Sequence, residues 1–141
     1  MQNRYEVFTT LINSINRSIR RIKNEAMKDY NLKSHHVSCL YYLYKEGGLT
    51  PTELTEFCDE DKAAISRSLD FLEKNEYLHR TKNKKQYNCK IVLTEKGQEV
   101  AKYITKKIDN ILVEVDGLIL EENRTVFYET LKLIENSLKN H

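Results

Sequence analysis

The chain has little of the two residues on which tight turns depend: its 141 residues include one proline and four glycines. Folds made of many short strands use both residues heavily, so a mostly helical chain of one domain is expected instead. No apolar run approaches the roughly 18 residues that a membrane-spanning helix needs. The opening residues, MQNRYEVFTT, lack the apolar centre of a signal peptide. These absences favour a cytoplasmic protein.

Cysteine is also scarce, and its spacing is irregular. Cys39, Cys58 and Cys89 are odd in number and far apart, which is typical of reduced intracellular thiols rather than of a disulfide framework. The chain shows no phosphate-binding loop, no nucleophile elbow and no defensible pair of catalytic carboxylates. Nothing therefore predicts an enzyme, and no cofactor is expected.

Charge of one sign is concentrated in a single segment. The formal net charge is only +2, but between residues 74 and 90 six cations stand against one anion, Glu76, for a local net charge of +5. A charge run of this kind is most often a solvated surface, so its meaning depends on its neighbours. The cations are Lys74, Arg80, Lys82, Lys84, Lys85 and Lys90.

Apolar residues recur at spacings of three and four in both terminal regions, which predicts long amphipathic helices. Such stripes pack against other helices, either within one subunit or between two chains. The second arrangement is favoured, because a small central domain offers little surface to cover them. The predicted dimer interface comprises Tyr5, Phe8, Ile12, Ile15, Ile111, Val115, Leu118, Phe127, Leu131 and Ile134.

Three shorter helices are predicted in the centre. Ser34 is expected to cap the first, which Gly47 and Gly48 end. The second opens on LTPTEL, where Thr50 and Glu53 have the spacing of a capping box around a proline at the first helical position. Leu54 and Phe57 are expected to face inward from it.

The third central helix begins near Asp61 and is followed by two short strands, YLHRT and NCKIVL. If its apolar residues face inward, a small and polar face is left outside, and Asp70 lies one turn beyond Arg67, where it could orient the guanidinium. Two short helices followed by a basic hairpin describe a winged helix-turn-helix, whose second helix reads the major groove while the wing contacts phosphates. The outward face comprises Lys62, Ala63, Ser66 and Arg67.

The segment LTPTELTEFCDEDKAAISRSLDFLEKNEYLHR, followed by VLTEKG, resembles the MarR (multiple antibiotic resistance regulator) family of transcription factors. The resemblance implies a mainly α fold with a small β-hairpin wing. It implies one domain over 1–141, with dimerisation helices at 3–30 and 98–141 and the winged helix-turn-helix at 32–97. It further implies a homodimer on a pseudo-palindromic operator, usually a repressor. The predicted DNA-binding residues are Thr52, Lys62, Ala63, Ser66, Arg67, Arg80, Lys82, Lys84 and Lys85.

The wing departs from the family pattern, which has an aspartate followed by an arginine that enters the minor groove. Here it reads KNKKQYNCK. Lysine lacks the planar fork of arginine and is more strongly hydrated, so groove reading by Lys84 or Lys85 is expected to be weaker.

The signal that controls binding is left open. The family resemblance implies a small aromatic or lipophilic effector, for which the tyrosines of the second helix are candidates, although they fit a helix core equally. His36, Cys39 and Cys89 are candidate effector or redox residues, and Cys89 has the most cationic surroundings. His35 and Cys39 share a face, but no metal site is assigned because the C-terminal helix supplies no further histidine. A redox- or metal-responsive regulator and a non-specific DNA-binding architectural protein remain alternatives.

Overall fold

The computed structural model describes residues 3–58, 60–81 and 89–141. Within them the chain is mainly helical, with a two-stranded antiparallel sheet, as the sequence predicts. A short 3-10 turn lies at Lys28–Tyr30. The helices and strands are α1 Arg4–Ala26, α2 Ser34–Glu46, α3 Pro51–Cys58, α4 Lys62–Lys74, β1 Leu78–Arg80, β2 Ile91–Leu93, α5 Glu95–Gly117 and α6 Glu121–Lys139.

The chain divides into two compact units, Met1–Lys106 and Lys107–His141. The core of the first unit lies where α2, α3 and α4 pack together beside the sheet and the start of α5. Full burial of one such aliphatic side chain contributes roughly 1.5–3 kcal/mol. The residues at its centre, each less than 2% exposed, include Leu40, Leu54, Leu69, Leu72, Ile91 and Ile104.

The start of α3 confirms the predicted capping box. The Thr50 N–H donates to Glu53 Oε1 at 3.1 Å, and the Glu53 N–H donates to Thr50 Oγ1 at 3.2 Å. Two donors that the first turn would leave unpaired are thereby satisfied. Gly47, with φ of +80°, ends α2 in a conformation that favours glycine.

The predicted cap of α2 is wrong. Ser34 is the first helical residue, and Lys33 occupies the cap position. The Lys33 N–H donates to His36 Nδ1 at 3.1 Å, while the Ser34 N–H donates to Asn24 Oδ1 of α1 at 2.7 Å. The helix therefore begins one residue early, because α1 and His36 supply the acceptors that a serine cap would have provided.

The hairpin is anchored at its base to the rest of the first unit. β1 and β2 pair antiparallel, with Leu78 opposite Leu93 and Arg80 opposite Ile91. Ile91 also exchanges two backbone hydrogen bonds with Leu49, of 2.7 and 3.2 Å, in the loop before α3. The wing base and the helix-turn-helix consequently share one hydrogen-bonded frame.

The first turn of α5 is fitted closely against the two residues that precede β1. Thr94 Oγ1 accepts the Gly97 N–H at 3.1 Å and donates to the Glu76 carbonyl at 2.6 Å. A Cβ placed on Gly97 would lie 1.9 Å from the Tyr77 carbonyl oxygen. Glycine is therefore required here because any side chain would clash with this carbonyl, and not because of an unusual backbone conformation.

The terminal helices leave broad apolar surfaces exposed within each unit. No residue of α1 or α6 is buried. In the second unit, Arg124 Nε donates to the Asp116 carbonyl at 3.0 Å and Tyr128 donates to the Asp116 carboxylate, which together fix the turn from α5 to α6. Exposed apolar faces of this extent mark surfaces that bind a partner.

None of the helices in the described part of the chain combines the length and the apolar character required to span a bilayer.

Candidate nucleic-acid interface

Helix α4 presents a polar face to solvent because its large aliphatic residues are buried in the core. Ile65, Leu69 and Leu72 are at most 2% exposed. Asp61 caps the helix, since its Oδ1 accepts the Ala64 N–H at 2.7 Å. The outward face predicted from the sequence is exposed as a whole: Lys62, Ala63, Ser66 and Arg67.

This face has the chemistry needed to read a duplex. Ala63 and Ser66 are small, so the backbone can approach a groove closely, and the serine hydroxyl can donate or accept. The Arg67 guanidinium offers parallel donors that match O6 and N7 of guanine. Thr52, in the first turn of α3, is exposed at a helix end whose dipole favours phosphate.

Asp70 does not orient Arg67, contrary to the expectation from spacing. Its Oδ1 instead accepts from Arg80 Nη2 at 2.8 Å, and Arg80 Nε lies 3.4 Å from Glu73 Oε2. The strand arginine thereby ties β1 to α4. Each of these exposed ion pairs contributes about 0–1 kcal/mol to stability. Their main role is to hold the base of the wing beside the recognition helix. Contact between Arg80 and DNA stays a prediction.

Three of the predicted phosphate ligands, Lys82, Lys84 and Lys85, lie outside the described residues. The chain on either side of them is fixed, because Thr81 and Lys90 exchange backbone and hydroxyl hydrogen bonds of 2.9–3.1 Å. Lys90 itself is exposed.

His36 lies between α2 and α4 rather than in an open metal or ligand site. Its ring stacks on Phe71, with centroids 4.3 Å apart and planes 13° from parallel. Burial, together with the neighbouring His35 and Lys33 charges, lowers the pKa of His36 to about 4. Neutral imidazole is therefore the form that the fold holds, and it accepts the Lys33 N–H.

An open groove of about 360 Å³ runs along these rings and reaches the recognition face. Its two walls come from α2 and α4, so one side chain, Arg67, belongs both to the groove and to the predicted base-reading surface. The groove is lined by His35, His36, Glu60, Ala64, Arg67, Ser68 and Phe71.

The cysteines fall into two different environments. Cys89, favoured from the sequence, is buried and donates to the Thr81 carbonyl at 2.6 Å. Cys39 of α2 is fully buried, and its interaction with Cys58 at the end of α3, together with this burial, raises the pKa of its thiol. Sequence reasoning did not predict this interaction, because the two residues come near each other only when α2 packs on α3. The described residues contain no group of three or more side chains arranged to hold a metal ion.

The fold and the exposed α4 face define a winged helix-turn-helix protein. A model of the MarR family matches residues 32–86. The HTH-type transcriptional regulator YwoH of Bacillus subtilis (strain 168) is 25% identical over 126 residues, which cover 87% of this chain and 92% of that protein.

Two solved structures have the same fold. The S. aureus MepR–DNA complex gives a TM-score of 0.82 at 19% identity, covering 93% of this chain and 97% of that chain. NMB1585, a MarR family regulator from Neisseria meningitidis, gives 0.84 at 18% identity, covering 99% and 96%. Residues 32–86 therefore match a family of transcriptional regulators, not of enzymes, and the chain shares the fold of the MarR family structures.

Proposed function

We propose that the protein is a homodimeric transcriptional repressor that binds a pseudo-palindromic operator in double-stranded DNA. The observation that carries the proposal is the exposed polar face of α4, set opposite the buried Ile65, Leu69 and Leu72. The relative MepR was solved in complex with DNA, and the shared fold supports the same mode of docking here. A regulator of this kind acts beside the chromosome, which in a bacterium lies in the cytoplasm.

The two parts of the interface have different tasks. Lys62, Ser66 and Arg67 contact base edges, and Ala63 allows the approach. Thr52 and the wing lysines contact phosphates, which fixes the register but carries no sequence information. The wing lysines displace condensed counterions, so affinity falls steeply as salt rises.

Dimerisation uses the apolar faces that the terminal helices leave uncovered, with one domain over 1–141 in each protomer. Tyr5, Phe8, Ile12 and Ile15 are 41–76% exposed on α1. In the second unit, Val115, Leu118, Phe127 and Leu131 are 38–87% exposed. Burial of these faces against a second copy removes apolar surface from water and sets the two α4 helices about one turn of DNA apart.

The effector is a small aromatic or lipophilic molecule that enters the groove between α2 and α4. His36 and Phe71 offer it stacked aromatic surface. Because Arg67 lines the same groove, an occupant there competes with DNA for this side chain. Release of the operator follows from that competition, since a ligand shifts an equilibrium only through contacts that differ between the two states.

Selection of bound duplexes from a random pool, at near-physiological salt, tests the proposal. A two-fold symmetric motif, bound about 10³-fold or more tighter than bulk DNA, is expected. Enrichment without a motif would instead favour the architectural alternative, in which the wing is a generic anchor. Failure to retain any duplex would contradict DNA binding.

A further inference from the structure

Helix α1 has a second face, which neither the proposed dimer nor the DNA contacts described above use. Three arginines and Asn24 follow one another at spacings of three, one and three, the pattern that places four residues on one side of a helix. Each of the three arginines is exposed. This arginine face consists of Arg17, Arg20 and Arg21.

The arginine face stays in solvent when the apolar stripe of α1 is covered. At 3.6 residues per turn, Arg17 lies about 140–160° around the helix from Ile12 and Ile15. These two isoleucines are 41% and 55% exposed and belong to the proposed dimer interface. A second copy of the chain on that stripe therefore leaves the arginine face accessible to another partner.

The charges of the arginine face are not neutralised within the chain. None of its guanidinium groups makes an ion pair with a residue that the structure describes. Glu25 follows Arg21 by four residues, a spacing at which helical charges can pair, yet the two form no ion pair. From residue 17 to residue 24 the chain has four cations and no anion. Because like charges three or four residues apart destabilise a helix, such a face is suited to an anionic partner.

A hydrogen bond holds this end of α1 against the start of α2. Asn24, one turn beyond Arg20, accepts the Ser34 N–H through its Oδ1 at 2.7 Å. His35, the next residue of α2, lines the groove between α2 and α4, and Arg67 of the recognition helix lines the same groove. The arginine face therefore leads to the edge of the recognition surface, within one compact unit.

The wing is attached to a different side of the recognition helix. Arg80 of β1 bonds to Asp70 and lies 3.4 Å from Glu73. Ala64, which lines the groove beside α2, lies about 120° around α4 from Asp70 and about 180° from Glu73. The two basic segments, the wing and the arginine face, are thus reached from different sides of the helix that carries Arg67.

A helix that lies in the major groove has a phosphate backbone on each of its sides. The groove is about 12 Å wide, close to the diameter of a helix with its side chains, so both strands pass near the protein. The wing supplies cations on its own side of α4, and the arginine face supplies them on the side of the α2 groove. Arginine suits this task, because its planar fork donates two parallel hydrogen bonds to phosphate oxygens.

We propose that the arginine face of α1 binds phosphates of the operator on the side of the recognition helix that faces α2, away from the wing. The proposal rests on the DNA binding proposed above and adds a third contact region to the recognition helix and the wing. Its partner is the sugar–phosphate backbone. These contacts therefore strengthen binding and fix the register without reading the sequence.

Operator binding by the full-length chain, measured at several salt concentrations, tests the proposal. Arg20→Ala combined with Arg21→Ala should bind the duplex selected from the random pool about tenfold or more weaker at low salt. Each lost phosphate contact removes about 0.9 from the slope of log affinity against log salt concentration, so the two affinities should converge as the salt concentration rises. The preference for the operator over a scrambled duplex should be unchanged.

Two further variants separate phosphate binding from net charge and from folding. Lys102→Ala combined with Lys106→Ala removes two exposed cations from α5 and should keep the salt dependence of the parent. Arg20→Lys combined with Arg21→Lys retains the charges without the forks, and should keep most of the salt dependence while binding less tightly than the parent. In urea, the double alanine variant should be at least as stable as the parent, because like charges have been removed.

An unchanged salt dependence in the double alanine variant would overturn the proposal. So would a loss of affinity that is equal at every salt concentration, or a loss of base preference. Binding to phosphatidylglycerol vesicles that requires Arg20 and Arg21, without any effect of these residues on the salt dependence of DNA binding, would assign the face to a membrane surface instead. A parent that retains no duplex would overturn the proposed function, and this proposal with it.

Discussion

Two arginines close to the predicted interface have opposite surroundings. Arg80 is held by Asp70 and Glu73, whereas Arg67 makes no ion pair with any of the described residues. An unpaired guanidinium keeps its full set of donors for a nucleic acid, and a paired one must first give up its partners. Arg67 is for this reason the better base-reading candidate.

Arg67→Ala is expected to weaken binding to the selected operator by about 1–3 kcal/mol and to flatten base preference, because the bidentate contact to guanine is lost. Fluorescence titration of the operator and of a scrambled duplex measures both effects. Arg17→Ala, which removes an exposed arginine from α1, is the control and should leave the preference intact. An unchanged preference in Arg67→Ala would show that the recognition face is misassigned.

The buried imidazole of His36 makes stability depend on pH. Its pKa is about 4 in the folded chain and ordinarily 6.5, so between these values the unfolded chain binds more protons. The contribution of the neutral His36 side chain to the free energy of unfolding is complete above pH 6.5, and it is lost as the pH falls toward 4. Between pH 7 and pH 5 it amounts to about 1–2 kcal/mol.

Urea unfolding at pH 7 and pH 5 tests this expectation. The parent should lose more stability between the two values than His36→Gln, whose side chain can still accept the Lys33 N–H. His79→Gln, at an exposed position of β1, should behave as the parent does. Equal losses in all three proteins would mean that other groups control the acid response.

At the level of the helices, the junction of β1 with α5 has no spare room. Gly97→Ala should destabilise the fold by about 2–4 kcal/mol, because its methyl group would overlap the Tyr77 carbonyl, which also accepts the Thr94 N–H at 3.1 Å. Gly117→Ala is the matched control, since nothing lies within 4 Å of a Cβ there, and it should change stability by less than about 1 kcal/mol. Chemical unfolding at equal protomer concentration measures both.

The helices also show which features a sequence can reveal. The Thr50–Glu53 box and the buried stripe of α4 were predictable, because each depends on residues within a few positions of one another. Phe57 was expected inside, yet it is 41% exposed and stacks on Tyr42 with centroids 5.1 Å apart. Leu54 is the one residue of α3 that is buried in the core.

The failures share a physical cause, which is a partner distant in sequence. At the start of α2, where Ser34 was predicted to be the cap, the Ser34 N–H instead donates to Asn24 of α1. The Asp70 carboxylate, which was predicted to orient Arg67, instead accepts from Arg80 of β1. The effect of Cys58 on the pKa of Cys39 belongs to the same class. Rules based on sequence spacing predict contacts between residues of one helix. They cannot predict a contact with a residue that tertiary packing brings in from another helix or strand.

At the scale of the whole molecule, the uncovered helices predict assembly. Ile15→Lys should shift the protein toward the monomer in sedimentation equilibrium and weaken operator binding, because a charge replaces a 55% exposed isoleucine on the proposed interface. Asn13→Lys adds the same charge on another face of α1 and should remain dimeric. A dimeric Ile15→Lys protein would exclude this part of α1 from the interface.

The clamp between Thr81 and Lys90 has a consequence for how such a protein can diversify. Because the hydrogen bonds of this clamp close the base of the wing, and Ile91 is separately bonded to Leu49, the described residues by themselves join the wing base to the helix-turn-helix. We expect substitutions that change the charge of the sequence between 82 and 88 to alter the choice of operator while this frame is kept. One scaffold could in this way acquire new operators or be fitted with them by design.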